Sequence, residues 1–398
     1  MAKLSIDDLV LKNKRVLVRV DFNVPLTENL EVADDTRIRE SLPTIKKIMD
    51  SSGRAILMSH LGRPKGKVNE SMRLAPVVKR LSQLLEGEVK YVTDCIGDAV
   101  ERAVNNLQSG EILLLENLRF YKEEEGNDPE FAKKLARLGD VYVNDAFGTA
   151  HRAHASTEGV TKYFEQCAAG YLMQKELKYL GEALENPKRP FVAILGGAKI
   201  SGKIDVIENL LNKVDALLIG GGMTYTFLKA ENIEIGKSLL EEDKIQLAQE
   251  VLKKVASQKV NFNLPSDHII ADEVTETSDM QVSEGQAIPK GWVGVDIGPR
   301  TLRQFNAILK RARTVVWNGP MGVFEIDKFA KGTIEIARTL AAISDEGAIT
   351  VVGGGDSVSA LEKAGVAKKI THVSTGGGAS LEFLSGLKLP GIEALTDK

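Results

Sequence analysis

Short, continuously apolar runs recur along the chain: RVLVRV (15–20), RAILMS (54–59), ILLL (112–115), DVYV (140–143), FVAIL (191–195), ALLIG (216–220), TVVW (314–317), ITVV (349–352) and THVS (371–374). Between most of them lie segments with apolar positions three and four apart, such as LAPVVKRLSQLLE (74–86) and DPEFAKKLARLG (128–139). Strands apolar on both faces, alternating with amphipathic helices, predict parallel sheets covered by helices on both sides. The expected class is α/β, of the doubly wound, Rossmann-like kind. The strands are too many for one compact sheet. A break falls at ALENPKRP (183–190), where a long helical segment (171–185) meets two prolines. Two parallel-sheet domains, 1–170 and 186–380, joined by a helical hinge at 171–185, are therefore expected. No tandem repeat or low-complexity tract interrupts the pattern.

Composition narrows the function classes. A chain of 398 residues with 43% hydrophobic and 27% charged residues is an ordinary globular protein with ample core. Its net charge of −3 lacks the strongly basic balance of a general nucleic-acid binder. The two cysteines, Cys95 and Cys167, have no CxxC partner, so neither a metal knuckle nor a disulfide framework is indicated, and a reducing compartment fits. The start MAKLSIDDLVLKNK lacks the apolar core of a signal peptide. No apolar run approaches the ~18 residues of a membrane helix. A cytoplasmic location without membrane partners is expected.

Ligands of open parallel sheets bind beyond the carboxyl ends of the strands, so the residues that follow each strand carry the chemistry. In the first half they are polar. RVLVRV leads into Asp21-Phe-Asn23, RAILMS into His60-Leu-Gly-Arg63, ILLL into Glu116-Asn-Leu-Arg119, and DVYV into Asn144-Asp145 and on to His151-Arg152. Arginine presents a rigid fork of donors matched to phosphate and carboxylate. Several arginines at one sheet edge indicate a site for a small, multiply anionic substrate. In the second half the strand ends are glycine-rich: ILGGAK, IGGGM (219–223), WNGPMG (317–322), VGGGDS (352–357) and STGGGAS (374–380). Glycines there let backbone N–H groups approach phosphate oxygens at helix N-termini.

Taken singly, each signal has a plainer explanation. Arg63 or Arg119 alone suits a surface ion pair, His60, His151 or His154 a solvated or capping residue, Lys203 a helix surface, and Asp356 an N-cap. Glu325 alone is unremarkable, and Trp317 and Phe324 suit the core. The functional reading rests on the combination.

The stretch from Gly197 to Lys203, GAKISGK, matches a Walker A phosphate loop up to its last position, where Ile204 stands in place of the Mg²⁺-ligating Ser or Thr. Ile204 cannot ligate a metal, so the stretch is a broken phosphate loop, a chance match or a different way of holding a nucleotide.

The stretches RVLVRVDFNVPL, MSHLGRP, LLLENLRFYKEEEGN, VYVNDAFGTAHRAH, ILGGAKISGKI, IGGGMTYTFL, VWNGPMGVFE, VVGGGDS and VSTGGGASLEFL resemble the phosphoglycerate kinase family, in the family's order and along essentially the whole chain. The resemblance implies a glycolytic kinase, a hinge-bending, cytoplasmic monomer of two domains. It implies phosphoryl transfer between 1,3-bisphosphoglycerate and ADP, giving 3-phosphoglycerate and ATP, with Mg²⁺. It also implies that the tail from about 381 to 398 packs back on the first domain. By resemblance, Asp21, Asn23, Arg37, His60, Arg63, Arg119 and Arg152 form the 3-phosphoglycerate site. Lys203, Gly294, Glu325, Gly354, Gly355, Asp356 and Ser357 form the nucleotide site, with Asp356 as the magnesium carboxylate. Lys199, Arg37 and the N–H groups of Gly376 and Gly377 are implied at the transferring phosphoryl group. On the residues alone two alternatives stay open: another α/β kinase forming an acyl phosphate on a small carboxylate, and a non-catalytic, nucleotide-gated binding protein.

Overall fold

A computed structural model describes residues 2–398. The chain divides into two compact units, residues up to Lys178 together with Lys388–Lys398, and Tyr179–Leu387.

The first unit is built on six strands: β1 (Arg15–Val20), β2 (Arg54–Met58), β3 (Lys90–Tyr91), β4 (Ile112–Leu114), β5 (Val141–Asp145) and β6 (Cys167–Ala169). Their order is β3-β4-β2-β1-β5-β6, and every neighbouring pair is parallel. The chain leaves β1 on one side for β2 and later crosses to its other side for β5, which is the doubly wound arrangement. Val16, Val18 and Val20 of β1 pack against Ile38, Ile45 and Ile48 of the helix Thr36–Asp50 and Val77 and Leu81 of the helix Ala75–Leu85. Each such side chain stabilises the fold by about 1.5–3 kcal/mol. The segment Lys388–Lys398 belongs to this unit: Gly391 N–H donates to Ala150 O at 2.8 Å, and Thr396 N–H to Cys167 O at 3.0 Å. Of the tail expected from about 381, residues up to Leu387 lie instead in the second unit, where Asn209 Nδ2 donates to Leu384 O at 2.8 Å.

The second unit carries β7 (Phe191–Leu195), β8 (Ala216–Ile219), β9 (Asn261–Asn263), β10 (His268–Ala271), β11 (Met280–Val282), β12 (Val293–Ile297), β13 (Thr314–Asn318), β14 (Ile349–Gly353) and β15 (His372–Val373). Six of them form a parallel sheet in the order β15-β14-β13-β7-β8-β9. All five residues of β7 and of β13 are buried, and Trp317 and Phe324 lie in this core as expected. Winding reverses between β7 and β13, so the loops after these two strands lie side by side at the switch point where doubly wound sheets bind ligands. A three-stranded antiparallel sheet, β11-β10-β12, is added to the expected pattern. β11 is exposed throughout, and the short β10 and β12, though largely buried, carry His268, Gly294 and Asp296 among their apolar residues, so no long apolar run marks them.

Candidate functional site

In the first unit, β1, β2, β4 and β5 are adjacent and end together, so the residues after them share one sheet edge. Asn23 Oδ1 accepts from Gly62 N–H at 2.9 Å, tying the turn after β1 to the turn after β2. Arg37, at the start of the helix Thr36–Asp50, donates Nη1 to Asp21 Oδ2 at 3.2 Å and to Asn23 O at 3.0 Å. Arg119 donates to Gly62 O at 3.0 Å and lies 3.4 Å from Glu125. His60 is buried 4.0 Å from Asp21. Asp21, Asn23, Arg37, His60 and Arg119 are thus held in one constellation. Arg63 and Arg152 are exposed and make no side-chain hydrogen bond or ion pair among the described residues. Asp145, another polar residue at a strand end, is buried away from solvent and accepts from Met173 N–H at 3.2 Å, inside the first turn of the helix Tyr171–Glu185. Burial raises its carboxyl to about 6.

The electrostatics of this edge are cationic. Burial, then Arg19, Arg119 and Arg37, holds His60 well below the ordinary histidine value. Burial, Arg119, Arg19 and Arg152 take His154 down to about 4. Burial and the neighbouring Arg19 lower Arg119 itself. Burial is the largest cause of each shift, and the neighbouring guanidinium groups add to it; an anionic ligand would relieve that second contribution. Arg19 was missed in the sequence reading. It is fully buried within β1 and donates to Ser156 Oγ at 2.8 Å and, at 3.1 Å, to His60 Nδ1. Guanidinium only donates, so Nδ1 accepts and the proton of neutral His60 sits on Nε2. A charge inside an otherwise apolar strand was the available signal.

In the second unit the glycine loops pack on one another. Gly197 N–H donates to Pro320 O and Gly221 N–H to Met321 O, each at 2.9 Å. A Cβ on Gly221, whose φ is +68°, would stand 2.5 Å from Gly197 N. Close approach of loops explains these glycines, and their N–H groups are not left for phosphate. The loops wall a cleft of about 490 Å³, lined among others by Tyr225, Leu239, Gly294, Glu325 and Asp356. A side chain at Gly294 would run into the Tyr225 ring, so only glycine leaves that wall flat.

Lys199 and Lys203 sit in the turn before the helix Ile204–Leu211 and not on it, so they share no helix face. Lys199 is exposed and makes no ion pair among the described residues. The half-buried Lys203 donates to Asn318 O at 2.9 Å and Oδ1 at 2.6 Å. Burial lowers it to about 8, and Asp356 partly opposes this. Asn318, at the end of β13, was also missed, although it occupies the strand-end position that marks the other candidates.

Gly354, φ +92°, turns the chain into the helix Gly355–Lys363, which has no side-chain N-cap. Asp356 is exposed on its first turn, among N–H groups that lack intrahelical partners. Ser357 Oγ accepts from Gly319 N–H at 2.6 Å, so its hydroxyl is engaged by the fold. Gly377 precedes the helix Gly378–Leu384 with no side-chain cap, whereas Gly376 N–H donates to Ser374 Oγ at 3.2 Å. Of the two implied glycine donors, Gly376 is partly engaged already. No three His, Cys, Asp or Glu side chains converge as a metal cage among the described residues. No helix among them is long and apolar enough to cross a membrane.

A doubly wound unit with several arginines at one sheet edge and a second unit with a glycine-walled cleft and two lysines are the features of an α/β phosphotransferase. Residues 6–387 match the family described as phosphoglycerate kinase. The chain is 58% identical over 397 residues to the phosphoglycerate kinase of Chlorobium phaeobacteroides, covering 100% of both. It is 59% identical over 405 residues to that of Koribacter versatilis, again covering 100% of both. The solved phosphoglycerate kinase of Coxiella burnetii superposes with a TM-score of 0.90 at 42% identity, over 98% of each chain. The chain belongs to the phosphoglycerate kinase family. It is a phosphotransferase with a carboxyl group as acceptor, a glycolytic kinase that uses a nucleotide and a phosphoglycerate as small-molecule substrates. The comparisons do not favour the two alternatives.

Proposed function

We propose that the chain interconverts 1,3-bisphosphoglycerate and ADP with 3-phosphoglycerate and ATP by direct in-line transfer, with one substrate on each unit. The observation that supports this reading is the geometry of the sheet edge of the first unit, where Arg37 and Arg119 are hydrogen-bonded to the turns after β1 and β2 beside His60 and Arg19. Asp21, Asn23, Arg37, His60, Arg63, Arg119 and Arg152 hold 3-phosphoglycerate. The neutral His60 contributes a donor through Nε2, and the exposed Arg63 and Arg152, which pair with no carboxylate among the described residues, supply charge. Lys203, Gly294, Glu325 and the stretch Gly354–Ser357 hold the nucleotide.

The nucleophile toward ATP is the substrate's own carboxylate, ionised at neutral pH because carboxyl groups titrate near about 4. No general base is required. The barrier is the approach of an anion to a polyanion, so catalysis rests on positioning and on neutralising the equatorial oxygens. Lys199, Arg37 and the N–H of Gly377, with Gly376 in support, suit that task. Mg²⁺ characteristically uses one or two carboxylates, with phosphate and water as its other ligands. Asp356, exposed and lining the cleft, fits that requirement without a cage of carboxylates. Bound there, the ion would neutralise phosphate charge. Because each substrate has its own unit, turnover requires closure about the helix Tyr171–Glu185, which also keeps water from the acyl phosphate. The same reading makes the enzyme monomeric and cytoplasmic. A coupled assay of ATP consumption with 3-phosphoglycerate and Mg²⁺ tests it. Turnover of an unphosphorylated three-carbon acid at an equal rate would overturn it.

A further inference from the structure

We infer that Glu241 is a positioning residue for phosphoryl transfer, an internal anion seated in the GGAKISGK loop that fixes the backbone carrying Lys199. The inference rests on the proposed role of Lys199 at the transferring group. The Glu241 carboxylate accepts from Ile200 N–H at 2.6 Å, from Ser201 N–H at 3.2 Å and from Ser201 Oγ at 2.5 Å. It reaches this loop from a different connection, after the helix Met223–Ala230, where its own N–H donates to Thr226 Oγ1 at 3.3 Å.

The loop needs such a tie. Residues 196–203 form no helix or strand, include three glycines, and are largely exposed from Ala198 to Gly202 except at Ile200. Glycine-rich segments lose the most conformational freedom on ordering. The following helix takes no side-chain cap from its own N-cap residue, Lys203. In a Walker-type loop, successive N–H groups of this kind point at the nucleotide phosphate. Here a carboxylate of the protein holds them through charge-assisted hydrogen bonds, which are about twice as strong as neutral ones. The motif therefore keeps the phosphate-loop pattern while its anion seat is filled from within. The Ile200 and Ser201 N–H groups are thereby withdrawn from substrate phosphate, while the side-chain charge of Lys199 is left to it. Lys199 directly precedes Ile200, so the clamp fixes the backbone at the point where that side chain departs.

Misplacing a catalytic group by about 1 Å can reduce the rate about 10²-fold. We expect Glu241→Ala to lower kcat by about ten- to a hundredfold, with nucleotide Kd within about threefold of the parent. Glu241→Gln, which retains an acceptor oxygen, restores most of kcat. Hydrogen exchange at the Ile200 and Ser201 amides accelerates in Glu241→Ala and much less in Glu241→Gln. In a Lys199→Ala background, Glu241→Ala causes no further loss. A Glu241→Ala enzyme with full kcat, or one that loses as much activity without Lys199 as with it, overturns the inference. Full activity of Lys199→Ala alone overturns the Lys199 reading and this role with it. A slow Lys199→Ala beside a fully active Glu241→Ala overturns only the role of Glu241. Ser201→Ala, which removes one of the three donors, applies the same test if Glu241→Ala does not fold.

Discussion

The Lys203 ammonium rests on two neutral acceptors of one residue, the main-chain O and the Oδ1 of Asn318, at 2.9 and 2.6 Å. Burial takes it down to about 8, with Asp356 opposing in part. Nucleotide phosphate should favour its charged form, so binding takes up a proton when the pH is near or above 8. KM for ATP is expected to rise between pH 7 and 9 in the parent and to be higher but flatter in Lys203→Ala. Calorimetry in buffers of different ionisation enthalpy measures the proton uptake directly. The stability sign is separate. Between about 8 and the ordinary lysine value, the unfolded chain holds a proton that folded Lys203 has released, so this group favours the folded state increasingly as pH rises through that window.

Lys199 differs in being exposed and without an ion pair among the described residues. Meeting the phosphoryl group mainly in the transition state, it should affect kcat and kcat/KM together. Lys199→Ala is expected to bind MgATP almost normally and to turn over about 10²–10³-fold more slowly, by analogy with one lost oxyanion donor. Steady-state kinetics beside nucleotide Kd values check this, and a raised KM at full kcat would reduce Lys199 to a binding residue.

Arg63 and Arg152 make no side-chain hydrogen bond or ion pair among the described residues, so their removal leaves no buried group there unsatisfied. Arg63→Ala and Arg152→Ala should shift stability by no more than about 0.5 kcal/mol. Each should weaken 3-phosphoglycerate about ten- to a hundredfold, the worth of a charged hydrogen bond, with little change for ATP. Equal losses for both ligands in titration calorimetry would contradict the assignment of substrates to units.

Asp356 is exposed on the first turn of its helix, and Asp356→Asn retains its size. This variant is expected to raise the Mg²⁺ concentration for half-maximal activity while 3-phosphoglycerate affinity stays within about twofold. That estimate follows from the ion needing one or two carboxylates. An unchanged Mg²⁺ titration would remove Asp356 from the metal role.

His60 and His154 are both depressed, chiefly by burial and then by neighbouring arginines. They are neutral at pH 7, so 3-phosphoglycerate affinity should show no histidine titration between pH 6 and 8. As pH falls from 6.5 toward about 4, the unfolded chain binds protons that these folded histidines refuse, so stability declines through that window. A histidine resonance of His60 titrating near 6.5 in the free protein would contradict this.

Much of the fold was legible because strands buried on both faces leave unbroken apolar runs: RVLVRV, FVAIL and TVVW were found within one residue of their observed limits. The strand-end rule then pointed to Asp21, His60, Arg119 and Asp356 from local sequence alone. It misled at Asp145, where burial turned a strand-end carboxylate into the anchor of a helix start. Strands of two or three residues, such as β3, β6 and β9, give no period to read, and the exposed β11 gives no apolar signal.

By itself the sequence determined which residue types stand at each strand end, because hydrophobic periodicity places the strands and polar residues follow them. Tertiary structure alone decided which of those groups are still free to meet a ligand. Glu241 fills the loop that imitates a phosphate cradle from 40 residues away. Arg19 sets the tautomer of His60 across a strand pair, and Asn318 holds Lys203 across the switch point. Such couplings are hydrogen bonds between residues distant in sequence, and only the packed sheet brings their atoms within reach.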